Sequence, residues 1–159
     1  MIYGCYLRNG MMFVPSSVRT EAGFYLNVDP VAVVSVVDGD ALRSALLAVL
    51  ARGNPTVPTP APAELSKSVL AKHAGQKSWA AFARGARAWE IEESQGLYEI
   101  HGKQMHPEHG WVVDPKQTIA FPEGTEVSAV VDRLIAIVQQ AARAGRRTTG
   151  ADDQQVQDQ

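Results

Sequence analysis

The chain has 159 residues, 45% of them apolar and 20% charged, which is enough to fill one compact core and too little charge to keep a chain this long unfolded. A formal net charge of −2 supplies no basic field of the kind that draws a protein onto phosphate backbones, so direct nucleic-acid binding is not expected. The single cysteine, Cys5, excludes an internal disulfide framework and a multi-cysteine zinc site, and no run approaches the roughly 20 apolar residues needed to span a bilayer.

In chain order, the opening MIYGCYLRNG lacks a basic leader followed by an apolar stretch, so a cytoplasmic protein with no membrane partner is expected. Residues 2–7 (IYGCYL) and 11–14 (MMFV) are short apolar runs around Asn9-Gly10, the strongest two-residue hairpin signal. GFYLNV (23–28) and VAVVSVV (31–37) read as two further strands separated by Asp29-Pro30. From Asp40 to Leu50 apolar residues fall at 42, 45, 46, 49 and 50, a helical stripe that stops before Gly53-Asn54-Pro55.

NPTVPTPAPA (54–63) has too many prolines for any regular element and reads as an extended connector. A short helix is expected at 63–74 and another at 77–86, with Trp79, Phe82 and Ala83 on one face. AWEIEE and LYEIHG are strands around Gln95-Gly96; GWVV, Asp114-Pro115 and TIAF follow, and a helix runs from 126 to about 143. The last segment, from residue 146, lacks periodicity and reads as a disordered tail.

The second half repeats the first. Asp29-Pro30 precedes Asp38-Gly39 as Asp114-Pro115 precedes Glu123-Gly124, and the stripes of the two helices superpose, Leu42 on Val127 and Leu46 on Val131. The expected fold is α+β: antiparallel sheet meanders, each closed by an amphipathic helix, with an internal pseudo-repeat. Residues 1–145 would form one domain, with halves 1–53 and 77–145 joined by the connector and a short helical segment.

Two constellations carry chemistry. If Gln95-Gly96 is a two-residue loop, Glu92 faces Glu99, Ile91 faces Ile100 and Glu90 faces His101. One face of this hairpin then carries Trp89, Ile91, Tyr98 and Ile100; the other carries Glu90, Glu92, Glu99 and His101. Two opposed carboxylates cost roughly 0.2–1 kcal/mol, and a cationic partner would offset that. Glu93 lies nearer the core face, Asp114 and Glu123 read as turn and helix-start residues, and Trp111 as a core residue.

The second constellation is HGKQMHPEHG, with three histidines and Glu108 in nine positions. Strand-borne metal ligands sit two apart so that they share a face. His101 and His106 are five apart and point oppositely, so a polar hairpin loop is the plain reading. A small metal-dependent hydrolase using His101, His106, Glu108 and His109 is the alternative. Gly-rich phosphate loops, nucleophile elbows and HExxH are absent from the sequence.

The stretch KSWAAFARGARAWEIEESQGLYEIHGKQMHPEHGWVVDPKQTIAFPEG (77–124), with MIYGCYLRNG and GNPTVPTP, resembles the immunity proteins of bacterial contact-dependent growth inhibition systems, in particular the Burkholderia-type group. The resemblance covers most of the chain to about residue 145 and rests on a strand pattern with phrases such as KSWAAFARGA and FPEGT. It implies a small cytoplasmic protein with no enzymatic activity and no cofactor. Such a protein binds one-to-one, and neutralises, the C-terminal toxin domain of its cognate surface effector. Such toxins are often nucleases, tRNA nucleases among them, whose substrate channels are cationic. Interface residues do not transfer by this resemblance; Glu90, Glu92, Glu99 and His101 are expected as partner contacts from the hairpin alone.

Overall fold

The computed structural model describes residues 1–151, with side chains to Arg146. The strands are β1 (Ile2–Arg8), β2 (Met11–Thr20), β3 (Tyr25–Ser35), β4 (Thr56–Val57), β5 (Ala86–Ser94), β6 (Leu97–His106) and β7 (Gly110–Ala120). The helices are α1 (Gly39–Arg52), α2 (Pro62–Leu65), α3 (Val69–His73), α4 (Trp79–Ala83) and α5 (Val127–Ala151). The sheet order is β3-β2-β1-β5-β6-β7, antiparallel throughout, with the short β4 parallel to the far end of β2. The fold is α+β, and the sheet is open.

That order is two three-stranded meanders placed back to back through β1 and β5. The central register pairs Tyr3 with Ile91, Gly4 with Glu90 and Cys5 with Trp89. Matching the hairpin turns Asn9-Gly10 and Gln95-Gly96, all four with positive φ, maps Tyr3 onto Trp89 and Cys5 onto Ile91. The two halves therefore exchange about an approximate twofold axis at the Gly4–Glu90 pair. Both turn pairs adopt the left-handed conformation that a two-residue hairpin requires.

Asp-Pro does not separate strands in either half; it bulges one. Pairing of β2 with β3 jumps from Pro15↔Val31 to Ser16↔Val28, leaving Asp29-Pro30 as the extra residues. Pairing of β6 with β7 passes from His101↔Thr118 to Lys103↔Val113, leaving Asp114 to Gln117 looped out opposite Gly102. A bulge absorbs a proline that cannot donate to the ladder, so each expected strand pair is one long edge strand. β2 likewise runs beyond the expected 11–14, because Pro15 lies at the register shift.

One sheet face buries Tyr3, Cys5, Leu7, Met12, Val14, Trp89, Ile91 and Ile100 beneath Leu42, Leu46 and Val49 of α1 and Val130, Val131, Leu134 and Val138 of α5. Asp38 caps α1 by accepting from the Ala41 N–H at 3.0 Å, and Arg43 bridges to Asp132 on α5 at 2.8 Å. On the opposite face, α3 and α4 cover the β1–β2 region, where Phe13, Leu70, Ala71, Phe82 and Ala86 pack with Tyr6. Phe82 meets Phe13 edge-on at 5.4 Å and stacks with Trp79 at 5.7 Å.

The expected helix at 63–74 is two. Ser66 bonds back to the Ala63 carbonyl at 2.9 Å, and Ser68 caps a fresh start by accepting from the Ala71 N–H. Serine hydroxyls competing for backbone groups end one helix and begin the next. The helix expected at 77–86 is the shorter α4, started by Ser78 and ended before Gly85 at φ +100°. Residues 146–151, expected as part of a tail, continue α5, which runs through Ala151; the remainder of that expectation lies outside the described residues.

Candidate functional site

The β5–β6 hairpin has the expected register: Ser94↔Leu97, Glu93↔Tyr98, Glu92↔Glu99, Ile91↔Ile100, Glu90↔His101. Alternation sends Trp89, Ile91 and Ile100 into the core under the long helices and Glu90, Glu92, Glu99 and His101 to the opposite face. In the first half the connector helices cover this face. In the second half it bears charge.

The four residues differ sharply in environment. His101 is only 6% exposed. Its Nε2 lies 3.2 Å from Glu92 Oε2 and 3.4 Å from Glu99 Oε2, and its Nδ1 lies 3.1 Å from Thr118 Oγ1. Glu90 is paired with Lys103, Nζ to Oε2 at 2.7 Å, with side chains 13% and 17% exposed. The Glu92 and Glu99 side chains remain 42% and 44% exposed.

His101 and Glu90 are largely withdrawn into the face, whereas Glu92 and Glu99 reach solvent. The buried imidazole lies between the Glu92 and Glu99 carboxylates, within 3.4 Å of both. Their outer lone pairs stay in solvent.

Lys103 and Thr118 were missed in the sequence. Lys103 could have been found, since it lies two residues beyond His101 on the same face and diagonal to Glu90. Thr118 could not, because its place opposite His101 depends on the Asp114–Gln117 bulge. Within the bulge, the Gln117 amide donates to Asp114 Oδ2 at 2.7 Å and the Lys116 N–H to Oδ1 at 3.0 Å. Those bonds, Gln117 first, hold the Asp114 carboxyl below its ordinary value. Gly102 is required where β6 passes the bulge: a Cβ there would lie 2.6 Å from Gln117 Cβ.

The hydrolase quartet does not converge. His106 and His109 stack at 4.6 Å in the β6–β7 turn, and His106 Nδ1 accepts the backbone N–H groups of Glu108 and His109 at 3.1 and 3.3 Å. That nitrogen is spent on closing the turn, and His101 lies back along the strand with the carboxylates. Among the described residues, the His, Cys, Asp and Glu side chains close enough to hold an ion are Glu90, Glu92 and His101. Trp111 packs against the Phe13–Phe82 cluster, as expected of a core residue.

No protein-family model and no curated protein matches the chain. Among solved structures it is similar to a protein of unknown function, NMB0488, from Neisseria meningitidis. That likeness has a TM-score of 0.58 at 12% identity and covers 82% of this chain and 88% of the other. It establishes a shared fold. No helix among the described residues is long and apolar enough to cross a membrane.

Proposed function

We propose that this chain is a non-enzymatic immunity protein of the contact-dependent growth inhibition type, which binds a cationic toxin domain one-to-one through the acidic face of its second meander. The observation that carries this reading is the Glu92–Glu99 pair. Two carboxylates stand directly opposed, each more than two-fifths exposed, on a rigid strand pair. Glu90 and Lys103 neutralise each other beside them, so the outward charge of the face comes from Glu92 and Glu99.

A fixed pair of carboxylates at hairpin spacing complements arginine or lysine groups that otherwise hold phosphates. Charge complementarity of this kind accelerates encounter and penalises wrong partners more than it adds raw affinity. The sequence resemblance supports the same assignment and implies action in the cytoplasm of the cell that makes the protein. The pseudo-twofold supplies a rationale for the location: the connector helices cover this face in the first half, and in the second half it remains available.

The test is calorimetry of the chain with the C-terminal toxin domain of its cognate effector at low and high salt. A one-to-one complex weakened by salt, and weakened about 100-fold by Glu92→Lys with Glu99→Lys, is expected. Tight binding indifferent to both would move the interface elsewhere, and absence of binding would remove the immunity reading.

A further inference from the structure

We propose that Glu90, Glu92 and His101 form a binding site for a divalent transition-metal ion of the Zn²⁺ class. Glu90 and Glu92 lie two apart on β5 and so share a face, and His101 stands directly across from Glu90 on β6. One carboxylate oxygen from each glutamate and one ring nitrogen lie within 4.8 Å of one another. Ligands about 2.0–2.2 Å from a tetrahedral zinc stand roughly 3.3–3.6 Å apart, so the two glutamate side chains would draw in toward the ring on binding.

The orientation of the ring is the second, independent observation. The Thr118 hydroxyl donates to the Asp114 carbonyl at 3.4 Å, which leaves its oxygen to accept from His101 Nδ1 at 3.1 Å. An outer partner on one ring nitrogen is the arrangement that orients a metal-ligating histidine. On a ring that is almost wholly buried, Nε2 hydrogen-bonds Glu92 at 3.2 Å and lies 3.4 Å from Glu99, so an ion that took the place of its proton would meet a nitrogen lone pair and two carboxylates together.

With Glu90 paired to Lys103, the charges that offset a divalent ion come from Glu92 and Glu99, so an ion bound here would take up the charge otherwise offered to a cationic partner. Glu99 supplies a further oxygen beside the ring. Lys103 occupies Glu90 Oε2 and leaves the other oxygen of that carboxylate for the ion. A borderline ion such as Zn²⁺ or Co²⁺ suits this mixed set better than Mg²⁺ or Ca²⁺, which prefer all-oxygen shells.

The full chain, stripped with a chelator and dialysed, is titrated with Zn²⁺ by calorimetry and with Co²⁺ by visible absorption. One ion per chain is expected, with a cobalt spectrum of low coordination number. Glu92→Gln should abolish it, Thr118→Val should weaken it about 10–100-fold, and His106→Ala with His109→Ala should leave it unchanged. His101→Ala should also abolish it; because that ring is buried, the half-exposed Glu92 provides the variant that folds. No ion on the wild-type chain, binding indifferent to Glu92→Gln, or binding lost with His106 and His109 would each overturn the site.

Discussion

Glu90 and Lys103 meet at 2.7 Å on a sheet face where both side chains are largely withdrawn from water. Removing one member leaves the other charge partly buried without a partner. Lys103→Met should therefore cost about 2–3 kcal/mol, the low end for such a pair because part of it stays wetted. Adding Glu90→Gln should recover most of that loss. Urea unfolding of the four members of the cycle measures the coupling directly.

Gly102 passes the β7 bulge with no room for a methyl group, since the nearest atoms belong to Gln117. Gly102→Ala should destabilise by about 1–3 kcal/mol through forced displacement of that side chain. Because the bulge also sets Thr118 opposite His101, the same variant should shift the His101 ring signals in an NMR spectrum. A variant as stable as wild type with unmoved His101 signals would contradict this account of the bulge.

Asp29 accepts from His73 Nε2 at 2.6 Å and lies 3.7 Å from Lys72 Nζ, tying the β3 bulge to α3. The hydrogen bond from His73, ahead of the smaller lysine contribution, holds its carboxyl below the ordinary value. A depressed folded-state value means that the unfolded chain binds the proton first. The contribution is thus present above the ordinary carboxylate range and is lost as pH falls through the folded value. Asp29→Asn should flatten the acid limb of stability below about pH 4, read from the thermal midpoint across that range. The effect should be small, because the pair is exposed and screened.

Cys5 lies in the core beneath α1 and α5, and burial pushes its thiol up to about 12. The thiolate fraction near neutral pH is then about a thousandfold below that of a free cysteine. Labelling by a thiol reagent should follow global unfolding, with native protein unreactive over hours. Rapid labelling of the folded chain would show the β1–β5 seam opening locally.

Much of this architecture is legible in the sequence, and the reasons are local. Asn9-Gly10 and Gln95-Gly96 fix two hairpin registers, and period-two alternation from Trp89 to His101 then fixes which side chains share a face. The stripes beginning at Leu42 and Val127 mark the two long helices. The bulges are not legible, because Asp-Pro reads equally as a strand break, and only pairing with β2 and β6 shows that the edge strands continue. Ser66 and Ser68 split a helix through hydroxyl contacts that periodicity does not register. At the site, the four residues of the hairpin face and the Glu90–Lys103 pair were accessible to the same alternation, whereas the place of Thr118 opposite His101 depends on the bulge in β7.

The central claim is that Glu92 and Glu99 present the charge a cationic toxin domain recognises. Its most direct test is the affinity of the chain for its cognate toxin domain, wild type against Glu92→Lys with Glu99→Lys, at two salt concentrations. The account predicts a tight one-to-one complex that weakens with salt and loses about 100-fold in the double variant. Equal affinity for both proteins at both salts would contradict it.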